Sequence, residues 1–252
     1  MNDLEKYFHD NKGRLIHKWQ HYFDIYETHF SRFRNKEVTI LEIGVFHGGS
    51  LQMWKHYFGS KARIYGVDID PRTKELEEDN ITILIGSQSD RRFLRNLTKQ
   101  IPPIDILIDD GGHKMKQQII TFEELFGHVK PDGVFLCEDL HTSYRLAYGG
   151  GHKRSGTFVE YSKNFIDYLH AFHSEQLSLP VSEFTKTVKG VHFYDSIVVI
   201  EKAKRQPPVD LVSGNPSFPL EPPERAGFVL RQIYAINKVL RFFRLPAFKL
   251  NK

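Results

Sequence analysis

Val38-Thr39-Ile40-Leu41-Glu42-Ile43-Gly44-Val45-Phe46-His47-Gly48-Gly49-Ser50 runs directly into Leu51-Gln52-Met53-Trp54-Lys55-His56-Tyr57-Phe58. A β-branched apolar run enters a glycine-rich turn and then a segment with helical spacing, for which Ser50 is a plausible cap. This predicts a strand, a tight turn and a helix. The unit recurs downstream. Arg63 to Asp68 and Ile81 to Ile85 read as strands, separated by a charged helix starting near Pro71. Residues 91–99 read as helix, 104–108 as strand and 116–126 as helix. Pro131-Asp132-Gly133 is a turn before a fifth strand, Val134-Phe135-Leu136-Cys137. Strands alternating with helices at this spacing predict an α/β fold with a doubly wound parallel sheet. Their near-continuous apolar character predicts burial on both faces.

Outward from this frame, residues 3–34 read as helix, with Ile16, Trp19, Tyr22, Phe23, Tyr26, Phe30 and Phe33 on one face. The stripe reads as packing. The polar tips of His21, Tyr22 and Tyr26 leave room for some of them to line a pocket. Residues 140–157 are irregular and hold Gly149-Gly150-Gly151, the mark of a mobile active-site loop. Residues 158–173 return to helix, and the segments 184–188 and 192–201 are expected to close the sheet as a hairpin. A proline-rich arm follows over 202–225, then a basic amphipathic helix over 226–252. The expected division is therefore an N-terminal helical segment (1–36), a catalytic domain (37–201), the arm and the tail helix. The tail is expected to dock on protein, its own domain or a second subunit, rather than on an anionic membrane.

The 252 residues are 40% hydrophobic and 26% charged, a composition that excludes disordered and fibrous classes. One cysteine, Cys137, excludes an internal disulfide framework and fits a reducing compartment. The charged first residues lack the apolar core of a secretory signal, and no apolar run approaches the ~20 residues needed to span a bilayer. The expectation is a soluble, cytoplasmic protein. The 35 basic residues only slightly exceed the 31 acidic ones. A nucleic-acid-binding module would want aromatics clustered on a basic face, which the sequence does not offer.

The chemistry gathers at predicted strand ends, where open α/β sheets bind ligands. Asp109-Asp110-Gly111-Gly112-His113 follows the fourth strand and Glu138-Asp139-Leu140-His141 the fifth. Carboxylates with an imidazole there suggest a hard divalent cation and a general base. The turn at Gly44, His47, Gly48, Gly49 and Ser50 is not the G-x-G-x-x-G fingerprint, so a diphosphate is disfavoured. Glu42 is placed to attract a cationic amino-acid moiety, and Asp68 to accept hydrogen bonds from ribose hydroxyls. Ser87, Gln88 and Asp90 after the third strand are placed to read an adenine edge. Asp109 is expected near the same amino-acid moiety. Any one of these is equally a plain strand-terminating turn, so their succession carries the weight.

These motifs, with Gly66-Val67-Asp68-Ile69-Asp70 and Phe193-Tyr194-Asp195-Ser196-Ile197-Val198-Val199, resemble class I S-adenosylmethionine-dependent methyltransferases. The later motifs resemble the metal-dependent branch that methylates macrolide sugars, with the wider rhamnosyl O-methyltransferase and cephalosporin hydroxylase group. The resemblance spans roughly residues 15–201. It implies a seven-stranded Rossmann-like methyltransferase sheet with an N-terminal helical cap and a C-terminal arm. It further implies S-adenosyl-L-methionine and Mg2+ or another divalent cation as cofactors, with metal ligands at Asp110, Glu138 and Asp139 and a general base at His113. The implied acceptor is a sugar hydroxyl on a glycosylated metabolite or glycan, and a homo-oligomer is expected. His141, Tyr144 and Tyr148 are either acceptor contacts or structural loop residues. Methylation of a catechol or small diol, or a hydroxylase reaction, are the alternative chemistries. The latter would need a redox metal for which no ligand set is evident.

Overall fold

The computed structural model describes residues 1–219, 227–243, 245 and 248. The chain divides into one compact unit over Met1–Pro208 and another over Val209–Lys252. In the first, seven strands form one sheet: β1 (Thr39–Ile43), β2 (Arg63–Asp68), β3 (Ile81–Ile85), β4 (Ile104–Asp109), β5 (Val129–Cys137), β6 (Val188–Tyr194) and β7 (Ile197–Lys202). Their order is β3-β2-β1-β4-β5-β7-β6. The first five are parallel, whereas β7 runs antiparallel between β5 and β6. Strand order reverses between β1 and β4, which opens a crevice at their carboxyl ends.

Period-two alternation fills both faces of this sheet. Ile40, Ile106, Ile108, Val134, Leu136 and Val199 belong to one buried cluster; Leu41, Leu107, Phe135, Val198 and Ile200 belong to the other. The first is covered from α1 (Asp3–Asp10), α2 (Tyr22–Phe30) and α3 (Gly49–Phe58) by Leu4, Tyr26, Phe30, Trp54 and their neighbours. The second is covered from α4 (Arg91–Leu97), α5 (Met115–Leu125) and α6 (Phe158–His170) by Leu94, Phe122 and Phe165. Each such side chain contributes roughly 1.5–3 kcal/mol on burial, so the two layers hold the strand ends in place.

Four local expectations are corrected. The helix expected over 3–34 is broken: α1 stops at Asp10, and residues 11–21 form a strap before α2. Asn11 makes the break, its amide donating to Arg14 O (2.8 Å) and its carbonyl accepting from Gly13 N (2.8 Å). Ser50 does not cap α3. Gly48 does, in the left-handed region (φ 75°), while Ser50 Oγ donates to Glu42 Oε2 at 2.7 Å. Pro131-Asp132-Gly133 lies inside β5, in the irregular register between the Ile104–Val129 and Ile106–Val134 pairs. Residues 183–187 form a short helix, α7 (Glu183–Thr187), because Ser182 and Thr185 build a reciprocal capping box. The hairpin closing the sheet is β6–β7.

Beyond this unit, α8 (Phe228–Phe242) occupies the predicted tail helix. Parts of the expected arm and tail, residues 220–226, 244, 246–247 and 249–252, lie outside the described residues. Among the described residues no helix is long and apolar enough to cross a membrane.

Candidate active site

Three strand-end turns meet over the crevice. Gly44 has φ 96°, and a Cβ there would lie 2.1 Å from the carbonyl oxygen of Asp110, so only glycine lets the β1 and β4 turns touch. Asp110 N donates to Ile43 O (2.9 Å) and Glu138 N to Asp109 O (2.9 Å), so the β4 and β5 turns lie side by side. Each turn carries a non-glycine residue at positive φ: Phe46 (51°), His113 (53°) and Asp139 (56°). Such backbone costs on the order of 1–3 kcal/mol and concentrates at functional sites.

These turns assemble an acidic centre. His113 Nε2 lies 3.9 Å from Asp110 Oδ1 and 3.5 Å from Asp139 Oδ2, and all three side chains are half-buried. The Tyr22 hydroxyl donates to Asp139 Oδ1 at 2.7 Å. Thr142 Oγ1 lies within hydrogen-bond distance of both His113 O (3.0 Å) and Asp139 O (2.7 Å), pinning the two turns. His141 Nδ1 contacts Ser196 Oγ at the β6–β7 turn (2.6 Å) and stands 3.9 Å from Asp139 Oδ1.

Glu138 is engaged by other partners. Its Oε1 accepts from Tyr26 OH (2.7 Å), and the ammonium of Lys18 donates to both of its oxygens (2.9 and 3.1 Å). Lys18 Nζ also lies 2.5 Å from Asp110 Oδ2 and 3.7 Å from Glu42 Oε1, with its side chain only 2% exposed. Burial opposes the lysine's charge, but Asp110, Glu138 and Glu42 outweigh it and hold its pKa well above the usual value. Burial, then the charge of Asp110, pushes Glu138 well up; burial pushes Glu42 and Asp109 up as well. Three carboxyls, Asp110, Glu138 and Glu42, thus share one ammonium.

A cavity of about 550 Å³ opens beside this centre and ends on it, lined among others by Gly44, His47, Asp68, Ser87, Gln88 and Asp110. Asp68 accepts from Val45 N and Phe46 N (2.8 and 3.1 Å) through Oδ2 and from Asp70 N (2.9 Å) through Oδ1, shaping the first turn. Gln88 lines the cavity but is buried, bridging Asp109 Oδ1 (2.9 Å) and Gly112 N (2.8 Å). Glu42 and Asp109 are buried and off the lining. Gly48 and Gly49 receive the strap: a Cβ on Gly49 would meet Leu15 O at 2.4 Å. Asp90 is exposed and caps α4 through Arg92 N and Phe93 N. Tyr144 is exposed and Tyr148 half-buried on successive 3-10 turns.

Lys18 was not legible in the sequence, where it is one lysine in a stretch patterned like helix. Tyr22 and Tyr26 carried a faint signal as polar tips on the apolar stripe. A second His/Glu group, His29, His192 and Glu201, is internally satisfied: Arg32 lies 3.7 Å from Glu201 and Tyr194 OH 2.9 Å from His29 Nε2.

Residues 41–140 match the family model described as a methyltransferase domain. The chain is 37% identical over 190 residues to the 8-demethyl-8-alpha-L-rhamnosyl tetracenomycin-C 2'-O-methyltransferase of Streptomyces olivaceus, covering 72% of this chain and 50% of that protein. The chain carries a methyltransferase domain over residues 41–140. The chain is also 37% identical over 202 residues to the demethylmacrocin O-methyltransferase of Streptomyces fradiae, covering 75% of this chain and 51% of the relative. Its fold superposes on the MycE methyltransferase of the mycinamycin pathway, solved with Mg, SAH and mycinamycin VI, with a TM-score of 0.70 at 31% identity, covering 80% of this chain and 53% of that one. The chain spans about half the length of the curated relatives it matches.

Proposed function

We infer that this methyltransferase transfers the methyl group of S-adenosylmethionine to a sugar hydroxyl of a glycosylated small molecule, with a divalent cation, Mg2+ first, at the acidic centre. One observation carries the reading: the cavity between the β1, β2 and β3 turns ends on Asp110, which also belongs to the Asp110–His113–Asp139 group. A donor in the cavity and an acceptor at that group would be neighbours. The surplus of carboxyls fits cationic guests, a sulfonium and a metal. The relatives named above act on rhamnosyl tetracenomycin and macrocin precursors, which supports the sugar acceptor.

The residues fit both guests. Gly44, Gly86 and Gly111 line the cavity with backbone alone, and Asp68, Ser87 and Gln88 present polar groups along it. Asp110 and Asp139 offer oxygen donors to a hard cation, which prefers such ligands, and Glu138, now paired with Lys18, lies in the same nest. When bound, the cation supplies Lewis acidity that lowers the pKa of a coordinated hydroxyl. His113 receives the hydroxyl proton at Nε2, the atom that faces the two aspartates. Asp139, fixed by Tyr22, stabilises the resulting imidazolium. His113, Asp110 and Asp139 thereby hold charge and position where the new C–O bond forms.

Incubation with S-adenosylmethionine, Mg2+ and a panel of rhamnosylated and deoxysugar-bearing polyketides tests this. The expected product is a monomethylated glycoside, lost on chelation and restored by Mg2+. Transfer that is indifferent to chelation rejects the metal, and no donor binding rejects the activity.

A further inference from the structure

Lys18 holds oxygens that the metal would need. Glu138 has no free oxygen while Lys18 is in place, since one accepts from Tyr26 and Lys18 and the other from Lys18. Asp110 is divided: Oδ2 faces Lys18, and Oδ1 faces His113. A cation entering this arrangement finds Asp110 Oδ1, His113 Nε2 and Asp139 Oδ2, and ligation by His113 would consume the base. Withdrawal of the ammonium frees Asp110 Oδ2 and Glu138 Oε2, with Glu138 Oε1 still held by Tyr26. That set is all oxygen, suits Mg2+, and leaves His113 free to take a proton. The two cations exclude each other there. A metal would sit ~2.1 Å from the same oxygens that now lie 2.5 and 2.9 Å from Lys18 Nζ.

We propose that Lys18 is a resident counter-ion which the divalent metal must displace, and that its departure from the nest makes Glu138 a ligand and His113 a base. The inference rests on the functional reading above. The strap is built for the part: Lys18 sits between exposed His17 and Trp19, in a segment without helix or strand hydrogen bonding, on a long flexible side chain. Arg14 and Leu15 of the strap pack closely on Gly48 and Gly49, an anchor separate from the ammonium's ion pairs.

The test is calorimetric titration of MgCl2 and MnCl2 into wild type and Lys18→Met, both with S-adenosylhomocysteine. Amide exchange of residues 11–21 is followed with and without metal. The variant should bind metal at least tenfold more tightly. Metal should accelerate strap exchange in wild type and leave it unchanged in Lys18→Met. Equal or weaker affinity in the variant overturns the proposal and makes Lys18 part of the site's scaffold. Strap exchange in wild type that metal slows or leaves unchanged overturns it too, and so does an absence of metal binding in both proteins. Should Lys18→Met fail to fold, Lys18→Gln and the wild-type exchange measurement decide. Methyl transfer is scored separately. Intact transfer with equal affinities rejects the role of Lys18 alone, whereas metal displacement without transfer rejects the functional reading alone.

Discussion

Gly44→Ala tests whether the contact between the β1 and β4 turns holds the acidic centre together. At φ 96° an alanine is strained by roughly 1–3 kcal/mol. Its Cβ would also meet a backbone oxygen, Asp110 O, at 2.1 Å, and no side-chain rotation relieves that overlap. The turns must part by roughly 1 Å or more to reach ordinary contact. Parting them lengthens the Asp110 N to Ile43 O bond, now 2.9 Å, a further loss of about 1 kcal/mol. The sum, about 3 kcal/mol, corresponds to a fall in Tm of roughly 6–12 °C for a unit of this size. Because Asp110 moves with the turn, affinity for S-adenosylhomocysteine should fall as well. Differential scanning calorimetry and ligand titration measure both. Gly127→Ala is the control: nothing lies within 4 Å of its Cβ position, so its change should stay within about 0.5 kcal/mol. A Gly44→Ala protein that melts within 2 °C of wild type and binds ligand normally would refute the reasoning.

His113→Gln should lower kcat by roughly 10²–10⁴-fold while ligand binding persists; single-turnover rates near wild type would remove His113 as the base. Tyr26→Phe leaves Glu138 Oε1 without its 2.7 Å donor in a fully buried place, and should cost about 1.5–3 kcal/mol in denaturant unfolding. An unchanged midpoint would show that Glu138 finds another donor. Hydrogen bonds from Arg95 and Arg91 hold Glu124 down at about 2. A carboxyl depressed in the folded state stabilises fully above its unfolded value, near 4.3, and loses that contribution as pH falls through the folded value. Glu124→Gln should therefore melt lower than wild type at pH 6, with the gap closing towards pH 2; a constant gap would contradict the linkage.

The parallel half of the sheet was readable because its strands are short, apolar on both faces and punctuated by turns. β2 and β3 run over the expected residues, bounded by the breaks at Pro71 and Gly86. The N-terminal segment was not readable as drawn. Ile16, Trp19 and Tyr22 keep helical spacing, while a local side-chain turn at Asn11 overrides it. Phe184 looks like a strand residue, as Val188 at the start of β6 is, but a capping box commits Glu183–Thr187 to helix. In the site, acidic residues at strand ends announce themselves by position. Lys18 does not, since its meaning depends on a strap crossing two glycines, a long-range contact with no local pattern. Asp90 illustrates the converse: a strand-end carboxylate in the expected place serves as a helix cap.

Ser196, at the turn between β6 and β7, accepts a hydrogen bond from Leu140 N on its carbonyl (2.9 Å) and holds the ring of His141 through its hydroxyl. The loop after β5 is therefore hung from the strands synthesised last in the sheet. Chains grow from the N-terminus, so a nascent protein completes its five parallel strands before the hook for His141 exists. A one-residue slip in that hairpin would turn its side chains to the opposite faces and unhook the loop. An assembly error at the sheet's far edge would then register as a lesion in the site, with the central strands intact.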